Sequence, residues 1–253
     1  MEIITVANQK GGVGKSTTVH ALGRGLSLQG RRVLFVDLDP QGNLSYSMQA
    51  TRSNTTAYEL ITGRAAAADT IQRTPQGDLI PASPLLSGAD IELHRVGKEY
   101  RLKEALQPIR ADYDFILIDT PPALGILTIN ALAASDSVIV TAQADIFSLQ
   151  GIGQLSATID AVRTYCNPAL IIKGVLLTRH SSRAVLSRDL TEMITDTAAQ
   201  LNTTVYKTVI RECIALKEAQ ASRQDIFNYA PRSNAATDYT AFIEEVLREG
   251  GRA

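Results

Sequence analysis

The segment Ile3-Ile-Thr-Val-Ala7, followed by Asn8-Gln-Lys-Gly-Gly-Val-Gly-Lys-Ser-Thr17, decides the fold of this chain. The apolar and β-branched residues at its start predict a buried strand, and the glycines after them predict a tight loop. Residues 15–29 then have the length and the periodicity of a helix. A strand, a glycine-rich loop and a helix in this order are the first part of a βαβ unit, so the segment predicts a parallel sheet.

The same alternation of short apolar runs and longer amphipathic stretches continues along the chain. Unbroken runs of Val, Ile and Leu are typical of strands that are covered on both faces. The expected fold class is therefore α/β: a single doubly wound, mainly parallel sheet with helices on both faces, in one domain of residues 1–253. The pattern is least regular at residues 50–97, where short elements are expected at residues 57–61 and 78–81. Strands are predicted at residues 3–7, 32–36, 115–118, 137–141 and 171–177, and helices at residues 15–29, 127–134, 149–165 and 183–201.

The composition excludes several classes of protein. The 253 residues are 45% hydrophobic and 20% charged, which is a globular balance, and the net charge of −1 excludes a uniformly basic nucleic-acid binder. Cys166 and Cys213 lack the paired spacing of a metal site. No apolar run reaches the roughly 20 residues that a membrane-spanning helix needs. We therefore expect a soluble protein of the reducing cytoplasm, with any DNA contact confined to a local basic patch.

The loop before the first helix has the residues of a phosphate-binding loop. Its glycines let backbone N–H groups converge on phosphate oxygens, and the helix adds the partial positive charge of its N-terminus. Lys15 is expected to reach the β- and γ-phosphates of a nucleoside triphosphate, and Ser16 is expected to bind Mg²⁺. The expected nucleotide contacts in this loop are Lys10, Gly11, Gly12, Val13, Gly14, Lys15, Ser16 and Thr17.

Two acidic segments are expected beside this loop. The predicted strand at residues 32–36 leads into Asp37-Leu38-Asp39-Pro40, and the predicted strand at residues 115–118 ends in Asp119. Ligands of open α/β sheets bind outside the carboxyl ends of the strands. An apolar strand that ends in aspartate is the Walker B form of a Mg²⁺ ligand, which makes Asp119 a candidate. Together with Ser16 of the loop and Asp39 of the first acidic segment, it completes the set of candidate metal ligands.

These motifs resemble the ParA/MinD family of P-loop ATPases, and most closely its short, chromosomal Soj-like ParA members. The generic phosphate-binding loop has glycine where this chain has Gln9, whereas Lys10 before the glycine pair is similar to the deviant Walker A box of the family. The resemblance implies ATP and Mg²⁺ as cofactors. It also implies that Lys10 contacts the nucleotide of the other subunit in a dimer, and that Asp39 orients the attacking water. Lys10, Lys15 and Asp39 are therefore the candidate catalytic residues.

The resemblance covers almost the whole chain, with two departures towards the C-terminus. The family usually has Pro-Arg-Asn around the adenine where this chain has Arg211-Glu212-Cys213, so Arg211 and Cys213 become candidate nucleotide contacts. Of two arginines that contact DNA in the family, one is matched by Arg183 and the other is replaced by Ala215. Other basic residues could rebuild this face. The candidate DNA contacts are Arg183, Arg188, Lys207, Arg211 and Lys217.

The resemblance implies a nucleotide-switched partition ATPase of the cytoplasm and nucleoid. In that function ATP brings two subunits together, the homodimer binds DNA non-specifically, and a ParB-like partner triggers an otherwise slow hydrolysis. Larger plasmid ParA proteins repress an operator with an extra N-terminal domain. That activity is not expected here, because the loop already begins at residue 8.

Three alternatives lead to different expectations. A redox iron protein needs cysteines near residues 119–135, which contain none. A MinD-like ATPase needs a basic amphipathic membrane helix at its C-terminus. The apolar stripe of the last predicted helix is instead expected to pack on the body of the protein. A DNA-bound scaffold with negligible turnover remains an alternative, because Asp39 indicates a capacity for ATP hydrolysis but not its rate. The residues of the stripe are Tyr239, Phe242, Ile243, Val246 and Leu247.

Overall fold

The first strand of the chain lies inside the sheet and positions the glycine-rich loop. The computed structural model describes residues 1–93, 96–180 and 185–250, without the side chains of residues 185–188, 249 and 250. Within these ranges the strands are Glu2–Ala7 (β1), Val33–Asp37 (β2), Gln72–Thr74 (β3), Gly77–Ile80 (β4), Phe115–Asp119 (β5), Ser137–Ala142 (β6) and Ile171–Leu177 (β7). They form one sheet in the order β3-β4-β2-β5-β1-β6-β7. All neighbouring strands are parallel except β3 and β4, so the expected doubly wound, mainly parallel sheet is confirmed.

The helices lie on both faces of this sheet and in the connections between its strands. Short 3₁₀ turns occur at Pro84–Gly88, Lys98–Tyr100 and Gln107–Asp112. The α-helices are Lys15–Leu28 (α1), Asn43–Ser47 (α2), Ala57–Ile61 (α3), Ala67–Thr70 (α4), Ala89–Glu92 (α5), Arg101–Leu106 (α6), Ile126–Ala134 (α7), Ile146–Tyr165 (α8), Val185–Gln200 (α9), Ile214–Ala221 (α10), Ile226–Tyr229 (α11) and Asn234–Gly250 (α12).

Each face of the sheet has its own core because successive side chains of a strand point to opposite faces. Ile4 and Val6 of β1 belong to the cluster with α1 and α12, whereas Ile3 belongs to the cluster with α6 and α7. A third cluster joins β6 and β7 to α8 and α9. All five residues of β2 are buried, as the unbroken apolar run predicts for a strand covered on both faces.

The apolar stripe of α12 packs into the first of these cores, as expected. Tyr239, Phe242, Ile243 and Val246 are almost completely buried, and Leu247 packs against them. Their burial places the apolar stripe of α12 inside the protein and not on its surface. Among the described residues, no helix combines the length and the apolar character that crossing a bilayer requires.

The observed strands agree with the predicted ones to within one residue, but β3 and several short helices were not predicted. The strand β3 consists of the polar residues Gln72–Thr74 at the edge of the sheet, where no apolar alternation marks it. The helix α10 is short and was interpreted only through its family resemblance. The helix α8 begins three residues earlier than predicted, because the Asp145 carboxylate caps it by accepting the Ser148 N–H at 2.8 Å.

Candidate nucleotide and metal site

The loop between β1 and α1 has a conformation that requires glycine at two positions. Gly12 and Gly14 have φ angles of 75° and 82°, in the left-handed region that side chains disfavour. Because Gly14 directly precedes α1, the unpaired N–H groups of the first helical turn are close to the loop. The Thr178 hydroxyl, directly after β7, donates a hydrogen bond to the Val13 carbonyl at 2.9 Å. The loop is thus anchored to the sheet in a form suited to an anion.

Lys15 is the buried cation of this loop. The residue is 6% exposed, and its Nζ donates a hydrogen bond to the Lys10 carbonyl at 3.1 Å. Burial lowers the pKa of Lys15, whereas the negative charges of Asp119 and Asp39 act to raise it. The ammonium group is therefore held near both carboxylates and at the start of α1, where the sequence predicts phosphate binding.

Asp37 and Asp119 are register partners at the carboxyl ends of the paired strands β2 and β5. Asp119 is fully buried, and neither of its carboxylate oxygens has a hydrogen-bond partner among the described residues. Burial, together with the charge of Asp37, raises the pKa of Asp119 well above its usual range, while Ser16 and Lys15 oppose the shift. A buried carboxylate without donors is costly unless a cation satisfies it. Mg²⁺ beside Ser16 and Asp119 fits this requirement.

Asp37 and Asp39 have different partners. Asp37 accepts hydrogen bonds from the N–H and hydroxyl groups of Ser45 at 2.8 and 2.7 Å, which holds α2 against β2. Burial raises the pKa of Asp37 to about 6, against these hydrogen bonds. Asp39 lines the open cavity beside the loop, and its Oδ1 accepts the Gln41 N–H at 3.0 Å. Of the two aspartates, Asp39 therefore has the carboxylate that faces the space available to a ligand.

A cavity of about 530 Å³ lies beside the loop and Asp39, which is enough volume for a nucleotide. Arg211 and Cys213 line it beside α10, and Gln220 of that helix donates a hydrogen bond to the Thr17 hydroxyl at 2.7 Å. The loop, Asp39 and α10 thus line one cavity, and the fully buried Asp119 interacts with it through the charge of Lys15. The loop residues on its wall are Gly11, Gly12, Gly14, Lys15, Ser16 and Thr17, whereas the side chain of Val13 is fully buried.

Lys10 does not line this cavity. Its Nζ forms an ion pair with Asp145 at 2.5 Å and lies 3.4 Å from the Gln143 amide oxygen. Gln143 also donates a hydrogen bond to the Gly12 carbonyl at 3.1 Å. Sequence analysis did not single out Asp145. A local sequence feature could have identified it. Asp145 lies three residues before Ser148 at the start of an apolar stretch, and this pattern is typical of a helix N-cap.

Of the candidate DNA contacts, Lys207, Arg211 and Lys217 have side chains that the structure describes. Arg211 is paired with Asp238 at 2.6 Å, and Lys217 lies 3.6 Å from Glu212, both at the wall of the cavity. Lys207 is exposed on the connection before α10. Arg183 lies outside the described residues, and so does the side chain of Arg188.

Comparison with known proteins identifies the family. A family model described as an AAA domain matches residues 1–172. The chain is 41% identical to the sporulation initiation inhibitor protein Soj of Bacillus subtilis, covering 98% of this chain and 99% of Soj. It is 39% identical to the chromosome partitioning protein ParA of Caulobacter vibrioides, covering 98% of this chain and 94% of that protein.

A solved structure with a bound nucleotide and magnesium has the same fold as this chain. The crystal structure of cobyrinic acid a,c-diamide synthase from Mycobacterium smegmatis with bound ADP and magnesium matches with a TM-score of 0.86 and 36% identity, covering 100% of this chain and 96% of that chain. Together with the loop, the two acidic strand ends and the parallel sheet, these matches show that the chain belongs to the ParA/MinD family of P-loop ATPases, close to its Soj-like chromosomal ParA members.

Proposed function

We propose that this chain is a partition ATPase that binds Mg·ATP, dimerises in the ATP state and binds DNA without sequence preference. Lys15 contacts the β- and γ-phosphates, while Ser16 and Asp119 hold Mg²⁺. Asp39 orients the attacking water. Lys10 contacts the nucleotide of the partner subunit. The protein acts in the cytoplasm on the nucleoid, and a ParB-like partner accelerates a slow basal hydrolysis.

The observation that carries this proposal is the meeting of three separate segments around Lys15, which lines the cavity together with Asp39. Lys15 follows β1, Asp39 follows β2 and Asp119 ends β5, and all three charges act on one another. Phosphoryl transfer depends on positioning and on fixed charges more than on covalent chemistry by the protein. A buried cation, an unpartnered metal-binding carboxylate and a second acid facing the cavity supply those elements.

The names of the similar proteins describe several activities, among them chromosome partition and cobyrinic acid a,c-diamide synthesis. The chromosome partitioning protein ParA of Caulobacter vibrioides has the higher identity with this chain, 39% against 36% for the synthase. A MinD-like membrane function is disfavoured by the burial of the apolar face of α12. A scaffold without turnover differs from the proposal only in hydrolysis, and the Asp39→Ala comparison described below tests it.

A mobility shift on unrelated DNA fragments, with and without ATP, tests the DNA function. We expect binding only with ATP, equal for all sequences, and weaker as salt rises because phosphate contacts displace counterions. Arg183→Glu should weaken binding to every fragment. Arg73→Glu is the matched control, since exposed Arg73 lies in β3 at the opposite edge of the sheet from β7. Binding confined to one operator, or insensitive to Arg183→Glu, would contradict the proposal.

A further inference from the structure

The ion pair between Lys10 and Asp145 gives Lys10 surroundings that differ from those of Lys15, the other lysine of the loop. Lys15 lines the cavity with Asp39 and interacts electrostatically with the buried Asp119, whereas Lys10 lies outside the cavity against the start of α8. The Lys10 side chain is 27% exposed and the Asp145 side chain is 30% exposed. Lys10 therefore already has an anionic partner within its own chain before any second subunit approaches.

Asp145 is held in place independently of Lys10. Its Oδ1 accepts the Ser148 N–H at 2.8 Å as the N-cap of α8, which leaves Oδ2 for the Lys10 ammonium. Although partial burial acts to raise it, the hydrogen bonds from Lys10 and Ser148 lower the pKa of Asp145. The partial positive charge at the start of α8 also favours an anion here. The carboxylate is thus a preorganised acceptor and not a chance surface contact.

The surroundings of the pair are exposed and partly apolar. Phe147 is 66% exposed and its ring centre lies 6.0 Å from the Lys10 Nζ, and Ile146 beside it is 48% exposed. Gly11 and Gly12 of the loop are exposed on the same side of the molecule as Lys10, next to Gln143. The ion pair therefore lies in a surface that a second copy of the chain can reach.

We propose that Asp145 is a positioning residue that holds Lys10 within its own subunit and sets how readily Lys10 transfers to the nucleotide of a second copy. The inference rests on the proposed ATP-dependent dimerisation. Lys10 cannot pair closely with Asp145 and with a phosphate of the partner at the same time. The apparent affinity of the dimer is therefore reduced by the fraction of Lys10 that stays bound to Asp145.

Asp145→Asn tests this role, because asparagine caps a helix as well as aspartate does but carries no charge. We expect the dimer formed with Mg²⁺ and a non-hydrolysable ATP analogue to tighten by about fivefold, the factor that a partly exposed ion pair is worth. Sedimentation velocity measures the dimer, and analogue binding to the dilute monomer should not change. Asp160→Asn is the matched control, since it removes an equal charge from α8 where the partner is Arg163.

Repeating the substitution in a Lys10→Ala chain shows whether the effect passes through Lys10. Asp145→Asn should then give no gain in association. A gain that persists without Lys10, or a dimer that is unchanged or weaker in the single variant, would overturn the role of Asp145. If the wild-type chain does not dimerise with the analogue, the proposed function fails. If the wild-type chain dimerises but Asp145→Asn gives no gain, only the role of Asp145 fails, so the two failures are distinguishable.

Discussion

At the scale of single residues, the proposed function assigns nucleotide binding and hydrolysis to different side chains. Lys15 is a buried ammonium at the start of α1, whereas Asp39 is an acid on the cavity wall with a hydrogen bond to its own turn. Losing Lys15 removes the cation for the phosphates. In the proposed function, losing Asp39 removes only the group that orients water.

We therefore expect Lys15→Ala to weaken Mg·ATP binding by about 100-fold or more, since two charge-assisted contacts are lost. Asp39→Ala should bind ATP within a few-fold of the wild type but hydrolyse it at least about 100-fold more slowly. Calorimetry measures the binding and phosphate release measures the rate. Unchanged ATP affinity of Lys15→Ala would remove the assigned site, and wild-type phosphate release by Asp39→Ala would remove Asp39 from the mechanism.

A second residue-scale prediction concerns His20, which has no part in the site. The His20 Nε2 donates a hydrogen bond at 2.7 Å to the Gln76 amide oxygen, and burial lowers the pKa of His20 to about 4. The unfolded chain, with a pKa near 6.5, takes up this proton first, so His20 makes the free energy of unfolding fall as pH drops from about 6.5 to 4.

The matched variant is His20→Gln, whose side-chain amide places a nitrogen donor near the former position of the ring nitrogen but does not titrate. Between pH 7 and pH 5 the stability of the wild type should fall relative to the variant by about 2 kcal/mol. Urea denaturation at both pH values measures the difference. Asp37 acts in the opposite direction over part of this range but is common to both proteins. Parallel pH profiles of the two proteins would contradict the assignment.

At the scale of the elements, α1 approaches the sheet closely because it carries glycine where it crosses β2. A Cβ added to Gly23 would lie 2.2 Å from the ring of Phe35, which is fully buried. The helix that carries Lys15 and Ser16 is thereby held against the sheet. By contrast, a Cβ added to Gly153 of α8 would meet no atom within 4 Å.

We expect Gly23→Ala to destabilise the protein by about 1–3 kcal/mol through overpacking. Gly153→Ala should instead stabilise it by about 0.5–1 kcal/mol, because alanine has the better helix propensity and nothing opposes its methyl group. The two changes are chemically identical, so their difference in urea denaturation isolates the packing of α1 on β2. Equal effects at both positions would show that the close approach of α1 to β2 does not contribute to the stability of the protein.

At the scale of the whole molecule, the site is divided between two subunits in the proposed dimer. Lys15 acts within its own subunit and Lys10 acts across the interface, so ATP binding and association become one linked equilibrium. Lys10→Ala should keep appreciable ATP binding as a monomer but lose both dimerisation and hydrolysis. Analytical sedimentation and phosphate release measure these two properties.

Mixing Lys10→Ala with Lys15→Ala chains should restore part of the hydrolysis. In the mixed dimer, the Lys10→Ala subunit holds a nucleotide that the intact Lys10 of its neighbour reaches. Mixing Lys10→Ala with the double variant Lys10→Ala/Lys15→Ala is the control and should restore nothing. Normal dimerisation and turnover by Lys10→Ala alone would make Lys10 an ordinary surface lysine.

The sequence by itself determined the order of strands and helices, the phosphate-binding loop and the acids Asp39 and Asp119. These features depend on residues that are close together in the chain. Periodicity identifies a buried strand, and glycine spacing identifies a loop that needs left-handed backbone at Gly12 and Gly14. For the same reason β3 was missed, since three polar edge residues have no such local pattern.

Only the tertiary structure decided which side chains meet. The Lys10–Asp145 pair joins residues 135 positions apart, and the hydrogen bond from Gln220 to Thr17 joins residues 203 positions apart. Both contacts depend on where the strands and helices lie in the folded sheet, which the local pattern of a segment does not specify. The loop and its acids were therefore predictable, whereas the internal partner of Lys10 and the α10 wall of the cavity appeared only when the sheet was assembled.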